Sequence, residues 1–197
     1  MPFNSNLSII TYLGVKMKNK LAQDGYTQNI FPFSQNEIEE LKVIAKEAIK
    51  LEKNSRKMIF KHFPRVKELF EKAIKREGLN LKLTDYCFYI EKTDEKNWPL
   101  MYHADSNLPD FLNVKEEDKD EYLKKAVMFR LTLDSSDKDT GALKVIRGSH
   151  IGNGSEEVFV NTKAGELILF KPLLQHASNK MTKSHTRRVF QALCIEL

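Results

Sequence analysis

The hydrophobic period of the chain changes near residue 80, and that change limits the folds open to it. Before it, "SQNEIEELKVIAKEAIKLEK" (34–53) places Ile38, Leu41, Ile44, Ala45 and Ile49 at helical spacing. Ser34 and Glu37 there have the Ser-x-x-Glu form of a capping box. "RVKELFEKAIKREG" repeats the helical spacing between Pro64, a favoured first residue of a helix, and Gly78, a stop. After residue 80 come short runs of β-branched and aromatic residues: "YCFYIEK", "AVMFRLTLD", "ALKVIRG", "EVFVNT", "ELILF" and "RRVFQALCIEL". Turn-forming stretches, "DSSDKDTG", "GSHIGNG" and "KAG", separate the later runs. A parallel α/β sheet needs a helix between successive strands, and none is readable between 126 and 197. The expectation is a mainly β protein with flanking helices, its strands forming a sandwich or barrel with the two helices packed outside.

At 197 residues and 41% hydrophobic content the chain can bury one substantial core. A single domain over 1–197 is expected, mainly helical over 1–80 and stranded over 81–197. The opening "MPFNSNLSIITYLGVKMKNK" has only a brief apolar run without a basic start, which argues against a signal peptide or membrane span. Cys87 and Cys194 lie in apolar strand-like runs, which suits buried free thiols and a cytoplasmic location. The net charge is +5, with Lys and Glu mixed through the first eighty residues as on a solvated helix face. The acidic run "KEEDKDE" (115–121) reads as an exposed loop or helix start. No membrane or nucleic-acid partner is expected, and oligomeric state is not readable. The terminal run to Leu197 has the option of being a sheet edge.

Polar residues in the stranded half need a purpose. "NWPLMYHADSNLPD" holds His103 and Asp105 one residue apart, just after a strand-like segment, and His176 follows "ELILF" in "FKPLLQHASNK". Two histidines and a carboxylate on one face form a three-ligand set that suits Fe(II) and leaves coordination positions open. A zinc hydrolase uses a similar set, and a structural histidine is the plain alternative for His176. Eleven residues after His176 stands Arg187, a permanent, two-pronged donor for a carboxylate. Because strand side chains alternate, Arg187 and Arg188 face opposite ways. Arg187 shares a face with Val189, Leu193 and Ile195, Arg188 with Glu196, so Arg187 is the one expected inside.

Several stretches together resemble the phytanoyl-CoA dioxygenase-like Fe(II)/2-oxoglutarate oxygenases. They are "DGYTQ" (24–28), "FYIEKTDEKNWPLMYHADS" (88–106), "FRLTLDSSDKDTGALKVIRGSH" (129–150) and "AGELILFKPLLQHASNKMTKSHTRRVFQALCIEL" (164–197), in the family's order. The resemblance implies a double-stranded β-helix, the cupin-like jelly roll. It makes His103, Asp105 and His176 the iron ligands and Arg187 the anchor of the far carboxylate of 2-oxoglutarate. Ser178 matches a position that helps hold that carboxylate, and Arg130 one that lines its pocket. His150, in a family-like "GSH", reads as a turn residue. Ala104 stands where relatives often have glutamine, and Arg147 where they have proline. The implied activity is hydroxylation of a small organic molecule by O2, with release of succinate and CO2; Asp105 speaks against halogenation, whose enzymes lack that carboxylate. Trp98, Tyr102 and Asn107 flank the proximal ligands as candidate pocket groups. Two other readings are a metal-binding jelly roll without turnover and a basic nucleic-acid-binding module.

Overall fold

A computed structural model describes residues 17–154 and 156–197. The expectation drawn from the N-terminal segment lies, through residue 16, outside the described residues. A helical stretch at 17–24 leads into β1 (Tyr26–Ile30). Then follow α1 (Gln35–Ala48), the short α2 (Ile59–His62) and α3 (Pro64–Arg76). The stranded half contains β2 (Leu81–Lys92), β3 (Leu100–His103), β4 (Ala126–Thr132), β5 (Leu143–Ile146) and β6 (Glu157–Val160). It is completed by β7 (Leu167–Phe170), β8 (His176–Ser178) and β9 (Arg187–Glu196), with one helix, α4 (Lys119–Lys125), before β4. α4 continues a 3-10 turn at Glu116–Asp118, so the acidic run is indeed a helix start.

The strands form two antiparallel sheets, a five-stranded one ordered β1-β7-β4-β9-β2 and a four-stranded one ordered β3-β8-β5-β6. The jelly-roll expectation holds. The edge expectation does not: β9 lies between β4 and β2. Its residues are buried on both faces almost throughout, as a central strand requires, so its sequence shows little of the alternation that marks a half-wet edge.

All three helix-end signals read from sequence are present. Ser34 Oγ accepts from the Glu37 N–H while the Glu37 carboxylate accepts from the Ser34 N–H, closing the capping box. α1 stops at Ala48, earlier than the run to residue 53, with Ile49 as its C-cap. α3 starts on Pro64, and Gly78 takes a left-handed φ of 61° just past its end.

The helices cover the outer face of the five-stranded sheet. Phe70 of α3 is fully buried, with ring centroids 5.8 Å from Phe33, 5.8 Å from Phe60 and 4.8 Å from Phe129 of β4. Each such pair adds about 0.5–1.5 kcal/mol beyond the burial itself. Leu41, Ala45, Leu69, Ala73, Cys87, Phe190, Ala192 and Cys194 continue this layer, and both cysteines are buried free thiols as expected. A second cluster fills part of the space between the sheets, with Tyr26, Met128, Val145, Ile168, Phe170, Leu174 and Leu193. The site lies in the remainder of that space.

Candidate active site

β3 and β8 are neighbours, and their register places His103 directly opposite His176. The chain leaves β3 at His103, and the Asp105 N–H donates to the Pro172 carbonyl at 2.8 Å, pinning the carboxylate beside both rings. Asp105 Oδ1 lies 3.7 Å from His103 Nε2 and Oδ2 lies 3.6 Å from His176 Nε2. One ligand atom from each of the three residues falls within 4.8 Å of the others, the spacing at which a single ion can be shared.

The two imidazoles are held the same way. His103 Nδ1 is 2.9 Å from the Met101 carbonyl and His176 Nδ1 is 2.8 Å from the Leu174 carbonyl, each two residues earlier in the chain. A carbonyl only accepts, so each Nδ1 carries the proton and each Nε2 presents a lone pair toward Asp105. Burial pushes the His176 pKa below its ordinary value against the pull of Asp105, which keeps the ring neutral and able to ligate. Two nitrogens and one carboxylate oxygen are donors that suit Fe(II).

The inner face of the five-stranded sheet supplies the charge. Arg187 is 2% exposed and donates through Nη1 to the Gly141 carbonyl. Gly141 has φ +82°, and a Cβ there would lie 2.9 Å from Met181 Cγ, so a side chain would disturb both the turn and the carbonyl that Arg187 uses. Arg188 faces the other way and makes a bidentate pair with Asp134, at 2.9 and 2.6 Å. Arg130 is buried on β4 and donates from Nη1 to Gln191 Oε1 at 2.7 Å. Lys92, at the end of the inward row of β2, pairs in register with Arg187 and donates to Ser178 Oγ at 2.5 Å. Among the described residues none of these three cations has a carboxylate partner within salt-bridge distance, and the Nε atoms of Arg130 and Arg187 are buried without an acceptor. Burial pulls all three pKa values down, Lys92 to about 8, Arg130 to about 9 and Arg187 to about 10; mutual repulsion adds to the shift for Lys92 and Arg130. Asp105 pulls the other way on Arg130; buried cations without an ion-pair partner are nonetheless costly, and an anion in this space would offset that cost.

An aromatic wall stands beside the cations on the same inner face. The Tyr86 and Phe88 rings, on the inward row of β2, are 5.4 Å apart, and Phe111 lies 6.1 Å from Tyr86. Burial, with Asp105 nearby, raises the Tyr86 pKa.

The fold brings His103, Asp105 and His176 together at the β3–β8 pair, and sets Ser178, Arg187 and Arg130 on β8, β9 and β4 toward the same space. Of the flanking candidates, Asn107 is exposed, Tyr102 donates to Glu157, and Trp98, 44% exposed, lies with its ring centroid 5.4 Å from Lys92 Nζ. His150 sits in the 3-10 turn Ser149–Ile151, its Nε2 3.1 Å from the Ala22 carbonyl. Lys92, Gln191 and Tyr86 were not singled out from sequence. The signal for Lys92 was available, a lysine in the same alternating row as Phe88 and Ile90.

Two antiparallel sheets enclosing a His-Asp-His cluster and a cationic recess define a jelly-roll protein built for a metal ion and an organic anion. The chain belongs to the phytanoyl-CoA dioxygenase (PhyH) family, whose model matches residues 19–189. A search of curated proteins finds no match. Among solved structures, the chain is similar to SnoK, a non-haem α-ketoglutarate-dependent carbocyclase from nogalamycin biosynthesis, with TM-score 0.74, 14% identity and coverage of 95% of this chain and 85% of that one. It is also similar to iron-bound HygX from Streptomyces hygroscopicus, with TM-score 0.70, 13% identity and coverage of 91% and 85%. EvdO2 from Micromonospora carbonacea var. aurantiaca, complexed with 2-oxoglutarate, matches with TM-score 0.68, 13% identity and coverage of 92% and 90%. At these identities the likeness is one of fold. No described helix is long and apolar enough to cross a membrane.

Proposed function

We propose that the chain is a single-domain, non-haem Fe(II)- and 2-oxoglutarate-dependent dioxygenase that hydroxylates a small organic molecule. The observation that carries this reading is the pairing, in one space, of a three-atom ligand cluster with two buried arginines that form no ion pair among the described residues and whose Nε atoms have no acceptor there. His103, Asp105 and His176 hold the metal, which when bound supplies the activation of O2. Arg187, helped by Ser178, holds the far carboxylate of 2-oxoglutarate, and Arg130 lines the same pocket. One O2 and one 2-oxoglutarate are consumed as a substrate C–H becomes C–OH, with succinate and CO2 released. The protein's part is to fix the histidine tautomers, anchor the co-substrate so that its chelating end reaches the metal, and keep water from the reacting centre with the Tyr86, Phe88 and Phe111 wall. The solved structures of similar fold are described as a carbocyclase, an epimerase and a monooxygenase, so the fold hosts several outcomes. Retention of Asp105 as third ligand supports hydroxylation over halogenation here. The buried free thiols Cys87 and Cys194 suit a reducing cytoplasm, where the enzyme would act on a soluble substrate.

The test is anaerobic addition of Fe(II) and 2-oxoglutarate to the purified protein, following the visible charge-transfer band of the chelate. The band is expected in the native protein and absent in Asp105→Ala, with O2-dependent formation of succinate following the same order. A folded native protein that gives neither band nor succinate removes the proposal.

A further inference from the structure

Lys92 is 1% exposed, yet its ammonium meets only neutral groups among the described residues: the Trp98 carbonyl, Ser178 Oγ at 2.5 Å, the Asn179 carbonyl at 3.4 Å and the Trp98 ring, whose centroid is 5.4 Å away. Tying a loop to a strand does not call for a buried charge, since a methionine of similar volume fills the same space without the desolvation cost. The lysine also stands directly across the β2–β9 ladder from Arg187, so two cations are placed side by side at one end of the space between the sheets.

The contact with Ser178 gives the lysine a purpose. An ammonium can only donate, so it occupies a lone pair of Ser178 Oγ and excludes the hydroxyl proton from its own direction. Ser178 makes no other side-chain hydrogen bond among the described residues, and its hydroxyl proton is left to point elsewhere. Ser178 lies two residues along β8 from His176, on the same face of that strand. We infer that Lys92 is a positioning residue for the co-substrate: it turns the Ser178 hydroxyl proton toward the carboxylate that Arg187 binds and adds a second positive charge behind it. The inference rests on the proposed function and goes beyond it, because it makes recognition of the far carboxylate a property of a Lys–Ser–Arg unit drawn from β2, β8 and β9. A hydroxyl already engaged by a cation is a stronger donor, so the unit favours an ionised end group over a neutral one.

The experiment compares two ligands that share the chelating 2-oxo acid end. 2-Oxoglutarate carries the far carboxylate, and 2-oxovalerate has a methyl group in its place. Each is titrated anaerobically into Fe(II)-loaded native protein, Lys92→Met, Ser178→Ala and the double variant, with folding of each checked by circular dichroism. Lys92→Met is expected to weaken 2-oxoglutarate about tenfold or more while leaving 2-oxovalerate within about twofold. In the Ser178→Ala background the same substitution is expected to cost clearly less, because the two residues act through one contact. Equal weakening of both ligands, no weakening of either, or additive losses in the double variant would each overturn the assignment. If Lys92→Met does not fold, Lys92→Gln, which keeps donors for the Trp98 carbonyl without the charge, is read by the same criteria. Native protein that binds neither 2-oxo acid overturns the proposed function and this inference together; native binding with no ligand-selective effect at Lys92 overturns this inference alone.

Discussion

The two faces of the five-stranded sheet are made from the same strands and serve opposite ends. On the outer face, Cys87, Tyr89, Phe129, Leu131, Phe190 and Ala192 meet the helices in an almost wholly apolar layer. On the inner face, Lys92, Arg130, Arg187 and Gln191 bring charge and amide groups into a buried space. The difference teaches that the outer side carries apolar packing almost alone, while the inner side is divided between a second apolar cluster and buried cations. A period of two lets each strand serve both without compromise, because neighbouring residues never share a face.

Substitutions on the two faces are expected to separate stability from ligand binding. The largest effect is expected for Asp105→Ala, which removes the only carboxylate of the cluster: Fe(II) retention, measured by metal analysis after gel filtration, is lost, while unfolding free energy changes by no more than about 0.5 kcal/mol. Phe70→Ala is the counterpart on the outer side. It opens a cavity among Phe33, Phe60 and Phe129 and should lower unfolding free energy by about 3–5 kcal/mol in urea titrations, with the protein still binding metal where it stays folded. Metal binding lost in step with Phe70 packing would break the comparison.

The adjacent arginines sharpen it within a single dipeptide. Arg187→Met should reduce 2-oxoglutarate affinity roughly 10- to 100-fold and leave stability unchanged or slightly improved, since an unpaired buried cation is replaced by an apolar chain. Arg188→Ala should do the reverse, costing about 2 kcal/mol through the abandoned Asp134 carboxylate with no change in 2-oxoglutarate affinity. The smallest effect belongs to the helical layer. Ser34→Ala should cost about 1 kcal/mol. The Arg76 guanidinium, with help from Ser34, holds the Glu37 carboxyl down at about 2, so its folded pKa is depressed from 4.5. The stability it contributes is fully present above pH 4.5 and is lost as pH falls toward 2, a slope that Glu37→Gln should flatten.

What the sequence made legible follows the same division. The capping box at Ser34 and Glu37, the start at Pro64, and the assignment of Arg187 inward and Arg188 outward were readable because each depends on local chemistry or on strand alternation alone. β8 was not readable: three residues carry no period, and "HAS" is a strand because β3 and β5 flank it. β1 and β3 also lie outside the runs read as strands, whereas β5, β6 and β7, just as short, were legible from their β-branched and aliphatic residues between turns. The expected edge position of the last strand failed because a strand buried on both faces resembles any apolar run, and only pairing partners reveal that it is central. Lys92 was passed over because a lysine closing an apolar run reads as the run's end, whereas the ladder continues to pair it with Arg187.

That pairing of β2 with β9 has a consequence in time as well as in space. β2 finds its hydrogen-bonding partner only after every strand from β3 to β8 has been passed along the chain, and the cationic recess exists only once that distant contact is made. Closing so long a loop is entropically slow, which places folding on the millisecond-to-second scale typical of non-local β topologies. Lys92 and Arg187 then come together late, and a ligand held at their end of the space would act as a clasp on the β2–β9 ladder, slowing its reopening more than it speeds its closure.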